Sequence, residues 1–166
     1  MNKKSNPHIL VPVDFSIQSE AALIHAKQYA QCLKTKLLVL HVIHDPAEVS
    51  GYYQNFMKKK QLVRMEDSAA HMLDDFLAKM AKKHKILKNI DDVESLLVKG
   101  LPLNRILEVS KKFNASMIVM GSKGHTGLKH LLLGSVAEGI VQLSSIPVTV
   151  VKTIPKDDHN GDNNVA

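Results

Sequence analysis

Short apolar runs separated by stretches of helical periodicity constrain the fold of this chain more than any other feature of it. Four runs stand out: His8 to Asp14 (HILVPVD), Lys36 to Ile43 (KLLVLHVI), Ser116 to Gly121 (SMIVMG) and Pro147 to Val151 (PVTVV). A weaker fifth spans Val93 to Gly100 (VESLLVKG). The first four are nearly continuous in hydrophobicity, which is the pattern of strands buried on both faces of a parallel sheet.

Helical spacing fills the intervals. Ser16 is a suitable N-cap with Glu20 near the first turn, and Ala22, Ala26, Tyr29, Ala30 and Leu33 follow on one face. Leu62, Met65, Ala69, Met72, Leu73, Phe76, Leu77 and Met80 form a longer stripe, whose methionines are expected to fill core rather than hold a cofactor. Pro102 suits the first turn of a helix carrying Leu103, Ile106 and Leu107. A last helix begins near Gly134–Ser135 with Val136, Ile140 and Leu143, and contains Gly139, a cost of about 1 kcal/mol relative to alanine. Five alternations of strand and helix give an α/β fold: a doubly wound five-stranded parallel sheet flanked by helices, with right-handed crossovers. Residues 1–152 are expected to form one domain, and the polar tail 153–166 is expected to be disordered.

Composition narrows the function classes. The chain has 166 residues, 45% of them apolar and 23% charged, enough for one sizeable core. No apolar run approaches the roughly 20 residues of a membrane span, and the N-terminal stretch lacks a signal-peptide core. With Cys32 as the one cysteine, no disulfide framework can form, and a reducing, cytoplasmic setting is the expectation. The net charge of +6 points mildly to an anionic partner. Its lysines are dispersed over helical stretches and aromatic residues are only 4%, so nucleic acid is not the expected partner.

The stretch MGSKGHTGLKHLLLGS, Met120 to Ser135, carries the site. It leaves a strand and enters a helix, which places it at the carboxyl edge of the sheet, where open α/β folds bind ligands. Gly121, Gly124 and Gly134 would permit positive φ or close approach of a ligand to the main chain. Backbone amides in such a loop, the helix N-terminus at Gly134 and the Ser135 hydroxyl suit a phosphate chain. The other reading is a strand end and a shaped loop. Neither a P-loop nor a G-x-G-x-x-G fingerprint after the first strand is present. Asp14, at the end of the first run, either accepts hydrogen bonds from a base or sugar or caps the next helix.

Strand-end PVDFS, then LVLHVI, then G-x-x-G with nine residues to G-S, then IPVTVVK together resemble the universal stress proteins, in the branch that binds ATP. The likeness runs from about Ile9 to Lys152. It implies strand order 3-2-1-4-5 in an adenine nucleotide α-hydrolase-like fold. It implies that Asp14, with Pro12 and Val13, contacts adenine or the ribose side, and that Val42 frames the adenine. Met120 and Gly121 would lie near the ribose and α-phosphate. Gly124, Gly134, Ser135 and Val136 would hold the phosphates through backbone N–H groups and the Ser135 hydroxyl. Mg²⁺ would ride on the phosphates, with no protein ligand set for it. Lys123 and His125 depart from the usual loop residues, and Gly139 replaces a usually larger one.

A nucleotide-dependent regulatory module of the stress response, with at most slow ATP hydrolysis, is the leading expectation. An adenylate-forming enzyme of the same superfamily is the alternative, although neither H-x-G-H nor S-G-G-x-D-S appears near the first strand. A nucleotide-independent interaction protein is the third. The last strand, with Val151 pointing outward, would lie at a sheet edge, and the resemblance implies a homodimer through Val148 to Val151. His41 and His44 would face opposite sides of a strand and are not expected to bind metal. His125, His130, Tyr52, Tyr53 and Phe56 could reach the nucleotide. Gly124→Val with Ser135→Ala should abolish ATP binding and leave the fold intact.

Overall fold

A computed structural model describes residues 7–44, 59–88, 92–124 and 133–153. Its elements run β1 (His8–Pro12), α1 (Ile17–Leu33), β2 (Lys36–Ile43), α2 (Lys59–Lys83), a short 3₁₀ turn (Lys85–Leu87), β3 (Val93–Lys99), α3 (Pro102–Lys112), β4 (Met117–Gly121), α4 (Ser135–Leu143) and β5 (Val148–Val151). All strands pair in parallel in the order β3-β2-β1-β4-β5.

Strand alternation sends neighbouring residues into two separate cores. Ile9, Val11, Leu37, Val39 and Val119 face α1 and α2, where they meet Ala22, Leu23, Ala26, Leu73, Phe76 and Met80. Leu10, Leu38, Leu40, Ile118 and Met120 face α3 and α4, where they meet Ile106, Val109, Ala137 and Ile140. Ile9, Leu10, Val11, Leu37, Val39 and Leu40 have no exposed surface, as expected of central strands covered on both sides. Alanines at Ala22, Ala26 and Ala30 let α1 lie close against the sheet. β3 reads weakly because it is an edge strand, with Glu94 and Ser95 exposed.

Three expectations need correction. Of the α2 methionines, Met80 is buried, but Met65 and Met72 are 37% and 53% exposed; the core-facing stripe runs through Ala69, Leu73, Phe76 and Met80, at spacings of three and four. Leu33 and Leu143 end their helices in solvent. Val151 points into the α1 side of the core rather than outward, while the rest of β5 is half-buried. Gly139 has a reason beyond helix propensity. A Cβ there would stand 2.9 Å from Leu103 Cδ2, so the missing side chain lets α4 pack against α3.

The first turn of α1 is also pinned from the side. Buried Glu20 accepts hydrogen bonds from Lys79 and Lys83, each at 2.9 Å, on successive turns of α2. Burial pushes its carboxyl up, but the two lysines outweigh that and hold it below the usual glutamate range. Among the described residues, no helix is long and apolar enough to cross a membrane. The tail 154–166 and the segment with Tyr52, Tyr53 and Phe56 lie outside the described residues.

Candidate functional site

The order of strands reverses between β1 and β4, and a cleft of about 460 Å³ opens there at the carboxyl edge. That volume falls in the range of about 300–1,000 Å³ typical of small-molecule sites. Pro12, Val13, Asp14, Val42 and Met120 line it, as do Gly121, Gly124, Gly134, Ser135 and Val136. The structure therefore brings these ten expected residues around one space. One end is apolar, walled by Leu40 and Val42 of β2 and by Pro102 and Ile106 at α3; the other is formed by the loop from Gly121 to Gly124 and the start of α4.

At the apolar end the main chain of β2 stands proud of β1. Odd-numbered β2 residues bond to β3: the Leu37 amide donates to the Asp92 carbonyl and the Ile43 carbonyl accepts from the Gly100 amide. Even-numbered ones face β1, and the last rung on that side is the Val13 amide on the Leu40 carbonyl, at 2.8 Å. Phe15 then adopts φ 66°, a left-handed conformation that is strained for a bulky residue. This turns the chain away from β2, so the Val42 amide and carbonyl, next in line, face the cleft. Phe15 stacks on His41, with ring centroids 4.3 Å apart, and meets Phe76 at 5.5 Å.

Asp14 serves the start of α1. Its Oδ1 accepts hydrogen bonds from the Ser16 amide (3.2 Å), the Ser16 hydroxyl (2.6 Å) and the Ser19 hydroxyl. Ser16 in turn caps α1 by accepting from the Ser19 amide at 3.2 Å. The capping reading of Asp14 is thus part of its role, while its other oxygen lies towards Gly124.

The glycines divide into two kinds, and neither kind rests on positive φ. A Cβ on Gly121 would stand 2.7 Å from Gln18 Cβ, and one on Gly124 would stand 2.6 Å from Asp14 Oδ2. Gly121 is required because the start of α1 presses against the end of β4, whereas at Gly124 the obstacle is the Asp14 carboxylate, which would have to move. Gly124→Val would therefore displace Asp14 and disturb the fold, contrary to the expectation of an innocuous change. Gly134 differs: among the described residues its Cβ would meet only ordinary contacts, the nearest at 3.5 Å, and none of them demands glycine there.

Gly134 is the N-cap of α4 and makes no side-chain capping bond. Its own amide donates to the Ser122 carbonyl at 2.8 Å, which ties the two ends of the loop together. That amide is committed and is not free to hold a phosphate, a correction to its expected role. The first helical bond runs from the Glu138 amide to the Gly134 carbonyl. The amides of Ser135, Val136 and Ala137 consequently have no acceptor within the helix. Ser135 is exposed at the cleft.

Sequence reasoning missed Ser19, Leu40, His41, Pro102, Ile106, Ser122, Lys123 and Ala137 as lining residues. Ser122 and Lys123 sit inside the G-x-x-G and were legible from it. His41 was weighed only as a metal ligand, and its neighbour Val42 could have drawn attention to it. Among the described residues no group of three or more potential ligands could hold a metal ion. His125 and His130 lie outside the described residues, and Cys32 is exposed on α1, away from the cleft lining.

Comparison with known proteins gives a consistent picture. A model described as the universal stress protein family matches residues 6–152. The chain is 33% identical to universal stress protein MJ0577 of Methanocaldococcus jannaschii over 152 residues, covering 87% of this chain and 93% of that protein. A solved structure of MJ0577 superposes with a TM-score of 0.68 at 29% identity, over 91% of this chain and 99% of that one. The fold is shared with a universal stress protein in complex with cAMP (TM-score 0.61, 21% identity, 90% and 99% covered). It is also shared with one from Archaeoglobus fulgidus in complex with dAMP (TM-score 0.58, 19% identity, 89% and 98% covered).

Proposed function

The chain belongs to the universal stress protein family, and from that premise we propose that it is an ATP-binding regulatory module with at most slow hydrolysis. The observation that carries this reading is the shape of the cleft: an apolar end beside an unpaired main-chain donor and acceptor at Val42, and an uncapped helix at the other end. Adenine offers an acceptor and a donor side by side on one edge, which matches a strand residue whose amide and carbonyl point the same way. Triphosphate carries the negative charge that the amides and dipole of an α4 N-terminus favour. The solved relatives with cAMP and dAMP, both adenine nucleotides, lend support at the level of the fold.

In this reading Pro12, Val13 and Val42 frame the base, and Met120 and Gly121 lie beneath the ribose. Asp14 stands on the sugar side of the cleft. Gly124 allows the loop to approach, and the Ser135 hydroxyl with the Ser135 and Val136 amides takes the phosphates. Lys123 adds a positive charge at the same end. Mg²⁺ would be held by the phosphates, because Asp14 is the one carboxylate lining the cleft among the described residues and it already anchors α1. Positioning alone supports no more than slow hydrolysis.

Regulation follows from the loop. The Gly134 amide bonds the Ser122 carbonyl beside the cleft, so ligand contacts at Gly124 and Ser135 would alter the surface that a partner meets. β5 is an edge strand, and a second copy pairing along Val148 to Val151 in the cytoplasm would complete the assembly. Thermal denaturation of nucleotide-free protein tests the binding step. Free Mg·ATP at about a hundred times Kd should add about 2.7 kcal/mol of stability. An unchanged melting curve at millimolar Mg·ATP would refute the reading. A monomeric mass by light scattering at micromolar concentration would refute the dimer.

A further inference from the structure

The β1–β2 ladder ends in an unusual way. After the Val13 amide bonds the Leu40 carbonyl, the next rung of a parallel ladder would join the Val42 amide to the Val13 carbonyl. That carbonyl is taken instead by Nδ1 of His41, at 2.8 Å. A carbonyl only accepts, so Nδ1 carries the hydrogen. The imidazole is held in this position by the Phe15 ring 4.3 Å away, and Phe15 is itself held at positive φ.

We infer that His41 is a positioning residue that stops the ladder one rung early and thereby keeps the Val42 amide available to the cleft. The side chain substitutes for the backbone of its own neighbour. Were the Val13 carbonyl vacant, strand β2 would offer it the Val42 amide, and the cleft would lose its main-chain donor. The role needs a donor at the position of Nδ1, which the ring supplies in its neutral and its protonated form alike. The ligand part of this inference rests on the nucleotide reading above; the backbone part does not.

Amide hydrogen exchange in nucleotide-free protein tests the backbone part. The Val42 amide should exchange at least about tenfold faster than the Leu40 amide, which lies within the paired ladder. Equal protection of the two in the wild type would overturn the inference without any variant. In His41→Leu the Val42 amide should become protected, and affinity for ATP should fall about tenfold, as for the loss of one buried hydrogen bond. His41→Asn places an amide donor where Nδ1 stood, and should restore fast exchange and affinity. His41→Gln, whose donor sits farther out, should not. An Asn variant as impaired as Leu, or a Leu variant with unchanged Val42 exchange, would contradict the role. If the wild type binds no ATP, the nucleotide reading fails, and the exchange pattern still decides the role of His41.

Discussion

Two helices begin at the cleft, and they are finished in opposite ways. α1 is closed by its own chain: Ser16 caps it, Asp14 brings a carboxylate to the amide and hydroxyl of that cap, and Glu20 in its first turn is clamped by Lys79 and Lys83. α4 opens on Gly134, without a side-chain cap, and its early amides face the cleft. Glu138 lies in that turn but reaches along the helix to Gln142. Both helices carry the same terminal amides and the same positive dipole end. One meets part of that demand internally, which serves stability; the other leaves it open at the place where the proposed phosphates would sit.

Changes at α1 should therefore strike stability and changes at α4 should strike affinity. Asp14→Ala removes the carboxylate from Ser16 and Ser19 and should destabilise the fold by about 2 kcal/mol, measured by denaturant unfolding. Gly134→Asp gives α4 the kind of acid that α1 already has. It should weaken ATP binding about tenfold by calorimetry while raising the stability of the nucleotide-free protein by a few tenths of a kcal/mol. A Gly134→Asp variant that binds ATP as the wild type does would break the comparison.

Glu20→Gln should cost about 1 kcal/mol at neutral pH, because the lysines it holds are largely exposed and regain water when released. The pH dependence has a definite sign. The folded carboxyl is held below its unfolded value, so its contribution is complete above about pH 4.5 and disappears as pH falls through the folded value. Urea midpoints of wild type and Glu20→Gln should converge on acidification. Ser135→Ala, the smallest change, should reduce ATP affinity about threefold and leave the melting temperature within about 1 °C, since the side chain is exposed.

Much of this was legible in the sequence because burial on both faces leaves a continuous apolar signal. β1, β2, β4 and β5 could be read from their runs, and β3 read faintly because half of it meets solvent. Asp14 and the glycine loop could be placed together because topology brings the ends of β1 and β4 side by side, whereas Pro12, Val13, Val42, Met120 and Val136 came from the family resemblance. What could not be read is contact across that junction. Gly121 and Gly124 are glycines because Gln18 and Asp14 press against them, which no local pattern announces. The same holds for the inward turn of Val151, for the positive φ of Phe15, and for the bond from His41 to the Val13 carbonyl. A histidine on a strand carries no sign that it replaces a rung of the ladder.

The difference between the two helix starts can be observed directly by following backbone amide resonances during titration of nucleotide-free protein with Mg·ATP. The account predicts saturable shifts at Ser135 and Val136, with the Val42 amide moving in step, and smaller ones at the Ser16 and Ser19 amides. Shifts confined to the start of α1, or none at any of these amides at saturating nucleotide, would contradict it.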